Sequence, residues 1–226
     1  VIAKPLAILP NMEGELLGEV LEVFEETSQP LTISDVRMLA DDAYSLYPKQ
    51  RLSFGYTNTA YWVRLTLVSD ETDNYVLLFD QASVDRLEFY QPSEPPIITG
   101  DHFPFSTRPL NYRNFAFPIS LQAGTEKVIF LRIKSQNILD IPIQVFKETT
   151  FNKKAMRDDI WQAMFAAVML VMTLYHLAIF MISRDQAYAV FGAFIFFVMA
   201  SQLFLTGVSA QRIYGDSPML NDQGLL

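Results

Sequence analysis

The sequence predicts an all-β sandwich over residues 1–152, followed by the start of a transmembrane helical bundle over residues 153–226. Three observations predict it. Of the 42 charged side chains, 37 precede Ile160, where 15 Lys/Arg stand against 22 Asp/Glu, and only five follow it. Two long charge-free apolar runs occupy the second part. The first part consists of short alternating runs separated by turn residues, and eleven of the twelve prolines fall within it. A uniformly soluble chain is excluded. So is a nucleic-acid binder driven by bulk charge, because a net charge of −8 repels phosphate. The absence of cysteine excludes disulfides, Cys-ligated zinc, iron–sulfur clusters and thiol catalysis.

Within the sandwich, an edge strand is expected over Gly18–Glu25, and Ser34-Asp35 is placed to cap a helical turn between Thr32 and Ala43. Ala60–Val68 is the clearest strand. Tyr61, Val63, Leu65 and Leu67 fall on one face, with Trp62, Arg64 and Thr66 on the other. Further strands are expected at Tyr75–Phe79, Arg86–Tyr90, Phe115–Ser120, Lys127–Ile133 and Ile141–Phe146. Pro118 and Pro142 interrupt two of these and mark edges or bulges.

The faces turned from the core carry the candidate chemistry. Trp62 and Arg64, Arg86 and Tyr90 with Glu88, and Phe130 with Arg132 put an aromatic ring and an arginine on each of three strands. Flat rings and forked guanidinium groups suit a sugar or carboxylate ligand, through stacking and bidentate hydrogen bonds. The competing reading is that loops or a second sheet cover this face, with the arginines paired to Asp85 or Glu88.

Ile160–Ile182 runs 23 residues without charge or proline, roughly 34 Å as a helix and enough to cross a hydrocarbon core of about 30 Å. Ser183-Arg184-Asp185-Gln186 separates it from a second run that begins at Ala187 and reaches about Val208. So short a turn requires an antiparallel hairpin, with spans at 160–182 and 187–208. Lys153, Lys154 and Arg157 before the first span outnumber Arg184 in the turn. Taken alone, this charge bias places the sandwich in the cytoplasm.

Leu52–Leu67 (LSFGYTNTAYWVRLTL) resembles the extracellular sensory domain of the bacterial seven-transmembrane receptors with diverse intracellular signalling modules. DRLEFY (Asp85–Tyr90), Gly100-Asp101, PFSTRP (Pro104–Pro109), FAFPI (Phe115–Ile119), FLRIKS (Phe130–Ser135) and Ile141-Pro142-Ile143 follow in the family's order. Tyr175–Asp216 is similar to its first two spans and the loop after them. The resemblance implies a jelly-roll domain similar to carbohydrate-binding modules, outside the bacterial cytoplasmic (inner) membrane in a multi-pass protein. A truncated seven-helix bundle follows here, and the missing output domain would commonly be a histidine kinase, as in two-component systems, a diguanylate cyclase or a phosphatase. It overrides the charge bias. Asp101 and Arg108, in two of the matching motifs, join Trp62, Arg64, Arg86, Tyr90 and Arg132 as ligand-binding candidates. A chain that opens on Val1 and ends in Gly224-Leu225-Leu226 is expected to be a piece of a longer one.

Catalysis is not expected. His102 is the sandwich's one histidine and no nucleophile elbow surrounds it, and no glycine-rich phosphate loop is present. Calcium is the one cofactor considered, with Asp80, Asp85 and Asp101 near turns as weak ligands and no EF-hand spacing. His176, inside the first span, is expected to contact another helix. Expected partners are a carbohydrate or other small-molecule ligand, the membrane and a second copy of the chain. The alternative function is a membrane-anchored protein-interaction module with no small ligand.

Overall fold

The computed structural model describes residues 6–8, 13–26, 29–136 and 139–215; the C-terminal Gly-Leu-Leu and Asp216 lie outside them. The strands are β1 (Leu6–Ile8), β2 (Glu13–Leu16), β3 (Glu22–Glu25), β4 (Ser45–Leu46), β5 (Leu52–Gly55), β6 (Tyr61–Ser69) and β7 (Asp73–Phe79). They continue as β8 (Arg86–Tyr90), β9 (Ile97–Thr99), β10 (Phe115–Leu121), β11 (Lys127–Lys134), β12 (Leu139–Ile141) and β13 (Ile143–Lys147). Seven form one sheet in the order β4-β3-β6-β11-β8-β9, with β1 parallel to β6; four form the second in the order β10-β7-β13-β2; β12 and β5 make a small ribbon. This is the jelly-roll sandwich.

Strand alternation builds the core. Tyr61, Val63, Leu65 and Leu67 of β6, Leu87 and Phe89 of β8, and Ile129, Leu131 and Ile133 of β11 face inward. They meet Tyr75, Leu77 and Phe79 of β7, Phe115, Phe117, Ile119 and Leu121 of β10, and Ile143 and Val145 of β13. Phe89 and Phe117 stack across the gap at 4.4 Å between centroids. Pro118 lies exposed on β10, an edge strand that tolerates the missing N–H.

Three local expectations are corrected. Gly18–Val20 is a 3₁₀ turn, because its backbone folds back to let Leu21 N–H reach Gly18 O, and the following strand, β3, lies inside the sheet between β4 and β6. The helical turn α1 (Ile33–Arg37) is capped by Thr32, not Ser34: Thr32 and Asp35 exchange side-chain-to-backbone hydrogen bonds in a capping box. Pro142 divides the run Ile141–Phe146 where the chain leaves the β12-β5 ribbon for the four-stranded sheet.

No linker follows the last strand: β13 ends at Lys147 and α2 (Glu148–Ser183) begins at Glu148, a continuous helix of 36 residues. Arg184, at φ 58°, turns the chain, and the Asp185 side chain accepts from Ala187 N–H to start α3 (Gln186–Leu205). Only 6% of the residues in the most apolar stretch of either helix are buried, as expected of spans that face lipid or further helices. His176 faces α3, its ring 6.2 Å from Phe191, with its Cβ close to Gly192.

Candidate functional site

Register across the large sheet explains the outer face. Glu22, Arg64, Phe130 and Tyr90 form one cross-strand row over β3, β6, β11 and β8, and Phe24, Trp62, Arg132 and Glu88 form the next. Each row sets an adjacent Arg–Glu pair beside two adjacent rings, so Arg64 and Arg132 each lie between a carboxylate and an aromatic side chain. Arg132 sits between two acids: Nε and Nη2 donate to Glu26 Oε2 at 3.0 and 2.8 Å, and Nη1 donates to Glu88 Oε1 at 3.0 Å. Arg64 donates to Glu22 at 2.6 Å and to Asp41 at 2.8 Å while lying 4.1 Å from the centre of the Tyr44 ring. Arg86, half exposed, donates to Glu88 Oε1 at 2.7 Å, and the Tyr90 hydroxyl donates to the other oxygen.

Burial by itself would raise the Glu88 carboxyl, but the Tyr90 hydroxyl, Arg86 and Arg132 outweigh burial and hold it below the ordinary carboxylate range. Burial and the Glu88 carboxylate together push Tyr90 up to about 12.

Trp62 stands elsewhere in this picture. The segment carrying α1 lies over it, and Trp62, fully buried, packs with Val36, Tyr44 and Phe130 and stacks on Tyr90 at 5.7 Å. It offers no surface for a sugar ring. Loop cover and Arg–Glu88 pairing thus both hold for much of this face.

The cover ends one row further on. Glu26 N–H donates to Ala60 O at 2.9 Å, and Lys134 pairs with Arg86, so Glu26, Ala60 and Lys134 continue the row pattern with a methyl group where the previous row has an indole. The drop in side-chain size opens a polar cleft of about 280 Å³, walled by Glu26, Asn58, Thr59, Arg132 and Lys134. Its donors and acceptors suit a small polar ligand. Both carboxylates bonded to Arg132 are held by it, an arrangement unlike a glycosidase acid pair. Of the sequence candidates only Arg132 reaches this cleft. Lys134, with Arg132's strand parity, and Asn58 and Thr59, in the turn before β6, were missed.

The other two candidates lie apart. Asp101, buried, gathers with Asp85 and His102, their ligand atoms within 4.8 Å of one another, whereas Asp80 accepts from Asn114 elsewhere. Asp85 already accepts from the Ser135 hydroxyl at 2.8 Å and Gln136 N–H at 2.9 Å. Arg108, buried, donates to Arg113 O between the rings of Phe105 and Phe115, at the end of the sandwich that meets the helices.

At that end Phe151 of α2 packs on Phe146 and Tyr112, and Asp158 accepts from Tyr112 and Lys154 with Arg113 at 3.6 Å. The chain leaving α3 returns to the same place, where Gln211 Nε2 donates to Asn111 O at 3.2 Å and Arg212 pairs with Asp159 at 2.8 Å.

Residues 18–147 match the family model described as 7TMR-DISM extracellular 2, and residues 158–225 match the one described as 7TM diverse intracellular signalling. No curated protein matches the chain. Among solved structures it is similar to a β-glucosidase from Kluyveromyces marxianus in complex with glucose, at 11% identity and TM-score 0.36 over 66% of this chain and 18% of that one. A family 35 carbohydrate binding module from Clostridium thermocellum aligns at 9% identity and TM-score 0.28, over 57% of this chain and 94% of the module. The GH31 α-xylosidase from Xanthomonas citri aligns at 7% identity and TM-score 0.29, over 56% and 13%. The chain thus spans less than a fifth of the length of either glycosidase.

Proposed function

The chain belongs to the seven-transmembrane receptors with diverse intracellular signalling modules, with an extracellular sensor domain joined to membrane spans, and on that premise we propose what the sensor binds and how it relays. The ligand is a sugar or small carboxylate held in the cleft beside Arg132. The observation that carries this reading is the cleft itself: cationic Arg132 and Lys134, the Asn58 amide and the Thr59 hydroxyl converge where the covering segment stops. Occupancy competes with Glu26 for Arg132, and this shifts β3 and β11 relative to one another. The shift passes through the sandwich to Tyr112 and α2, and from the bundle in the cytoplasmic membrane to an output domain such as a histidine kinase or diguanylate cyclase.

The experiment is a thermal-shift screen of the whole chain in detergent against monosaccharides, uronic acids and dicarboxylates. A ligand that stabilises the wild type is then tested on Asn58→Ala and Lys134→Gln. These exposed positions support neither the core nor the Arg132 ion pairs, so their basal melting temperature stays unchanged while ligand binding weakens about tenfold or more, as when a charge-assisted hydrogen bond is lost. Equal binding by both variants overturns the assignment. No binder in the screen, with self-association that depends on the same surface, favours the interaction-module reading.

A further inference from the structure

The join between sandwich and span carries its charge on the unexpected side. The sandwich is extracellular, yet Lys153, Lys154 and Arg157 precede the first span, where basic residues ordinarily mark the cytoplasmic side. Their placement gives a reason for keeping them. With α2 starting at Glu148, Thr150, Lys153, Lys154 and Arg157 fall on one helical face at the spacing i, i+3, i+4, i+7. Together with Gln144 of β13 and Glu13 of β2 they line a cavity of about 430 Å³.

Lys154 is committed to Asp158 at 2.6 Å. Lys153 and Arg157, both exposed, have no ion-pair partner among the described residues. Elsewhere in this acidic domain Arg51 pairs with Asp140, Lys127 with Glu94 and Lys147 with Asp73, while Arg37, Lys49 and Lys134 are likewise without an ion pair among the described residues. Unmatched positive charge is thus left at the edge nearest the membrane. Arg157 lies about 4.5 Å along the helix from Ile160, where the charge-free run begins, and Lys153 about 10 Å. The polar layer of one leaflet is roughly 5–7 Å deep. Arg157 is therefore level with the headgroups, and Lys153 reaches them with its flexible stem. Trp161, four residues beyond Arg157 on the same face and 63% exposed, stands at the depth of an aromatic belt.

We propose that this cavity binds a phosphate-bearing anion and that its occupant is the headgroup of an anionic phospholipid in the outer leaflet of the membrane the helices span. The Arg157 fork and the Lys153 ammonium take the phosphate oxygens, and the Thr150 hydroxyl supplies a third donor. Gln144 spends its Nε2 on Gly14 O at 2.8 Å, so its amide oxygen remains an acceptor. That oxygen and the Glu13 carboxylate suit the hydroxyls of a glycerol headgroup and oppose a second negative charge. The cations thus hold the sandwich at a fixed height on the lipid surface, independently of the cleft beside Arg132.

The test uses the whole chain in zwitterionic detergent, titrated with phosphatidylglycerol, phosphatidylcholine, glycerol phosphate and inorganic phosphate, with thermal unfolding and native mass spectrometry as readouts. Phosphatidylglycerol is expected to bind and raise the melting temperature, and phosphatidylcholine is not. Lys153→Gln combined with Arg157→Gln weakens phosphatidylglycerol binding roughly thirtyfold, the weight of two basic residues at an anionic surface. Arg184→Gln, in the turn at the far end of the hairpin, leaves it unchanged. A shift of equal size from millimolar glycerol phosphate, lost in the double variant, would overturn the lipid as occupant in favour of a soluble phosphate. Equal binding of the two lipids, or an unaltered preference in the double variant, overturns the site. Should the double variant fail to fold, each single variant must weaken binding several-fold, and wild-type affinity in both overturns it too.

Discussion

The Tyr112 hydroxyl donates to Asp158 Oδ2 at 2.9 Å, joining a loop of the sandwich to the helix that enters the membrane. Tyr112 is 2% exposed, and burial first, then the Asp158 charge, raise its hydroxyl above the ordinary range, so it stays a donor at any physiological pH. Lys154, at 2.6 Å, neutralises the same carboxylate. Tyr112→Phe removes one donor and is expected to cost about 0.5–1.5 kcal/mol. Asp158→Asn strips the partner from Lys154 and Arg113 and costs more. Hydrogen exchange at residues 148–158 should accelerate in both variants while the core strands remain protected. Unchanged exchange there would show that the bond does not hold the junction.

A helix that starts on the residue after a strand cannot swivel freely, so motion of β13 is motion of α2. Four Gly/Ser residues inserted after Phe151 break the helix between the Phe151 contact and Asp158. Ligand binding to the sandwich should survive, and ligand-dependent output of the full receptor should vanish. Retained output would sink the relay through α2.

Trp62 is fully buried beneath the α1 segment, so Trp62→Ala is first a stability change. The expected loss is about 3–5 kcal/mol, read from the denaturant midpoint, together with faster exchange of residues 31–44 as their packing partner disappears. A loss under about 1 kcal/mol would mean that the cover does not depend on the indole.

Trp62 also marks where the sequence stops being informative. Strand parity placed it with Arg64 and Arg132 on the face away from the core, and the register agrees. Parity is local, whereas the cover comes from α1, whose docking depends on contacts of Val36 and Tyr44 with Trp62 and Phe130, 18 to 94 residues further along the chain. The cleft was half legible for the same reason. Arg132 could be read from its strand, but its opening follows from the short Ala60 side chain lying between Glu26 and Lys134, which only the pairing of three strands reveals. The two spans, by contrast, were read from composition, because a lipid environment leaves no alternative to helices. The missing linker was not legible, since nothing in residues 147–159 signals that the helix begins within the soluble part.

Glu88 gives the sandwich an acid-sensitive element. Its carboxyl is depressed in the folded state, so it stabilises the fold above its unfolded value near 4.3, and that contribution disappears as pH falls through the lower native value. Glu88→Gln should cost roughly 1–3 kcal/mol at neutral pH, because Arg132 and Arg86 lose a shared partner. The cost should shrink below about pH 4, where the wild type loses the same charge. Urea midpoints measured from pH 3 to 7 check this, and parallel curves for the two proteins would contradict it.

The return from α3 gives the sandwich its second hold on the hairpin, and Gly207 is what lets the chain make it. Its φ is +74°, and an added Cβ would lie 2.9 Å from Arg113 O and 3.0 Å from Ala82 Cβ. Gly207→Ala therefore meets both a left-handed backbone penalty of about 1–2 kcal/mol and a clash with the loop beside Tyr112. The cheapest relief is for the segment to lift, giving up the Gln211–Asn111 hydrogen bond and the Arg212–Asp159 pair. Exchange of the amides at 208–215 should then rise while the sandwich's own denaturant midpoint stays within about 0.5 kcal/mol of wild type. If only α2 relayed the signal, this variant would respond to ligand normally; if both contacts set the tilt of the hairpin, it would bind ligand with wild-type affinity and give a reduced output. We expect the second result, because Asp158, which accepts from Tyr112, and Asp159, which pairs with Arg212, are adjacent on α2 and tie both contacts to one turn of helix.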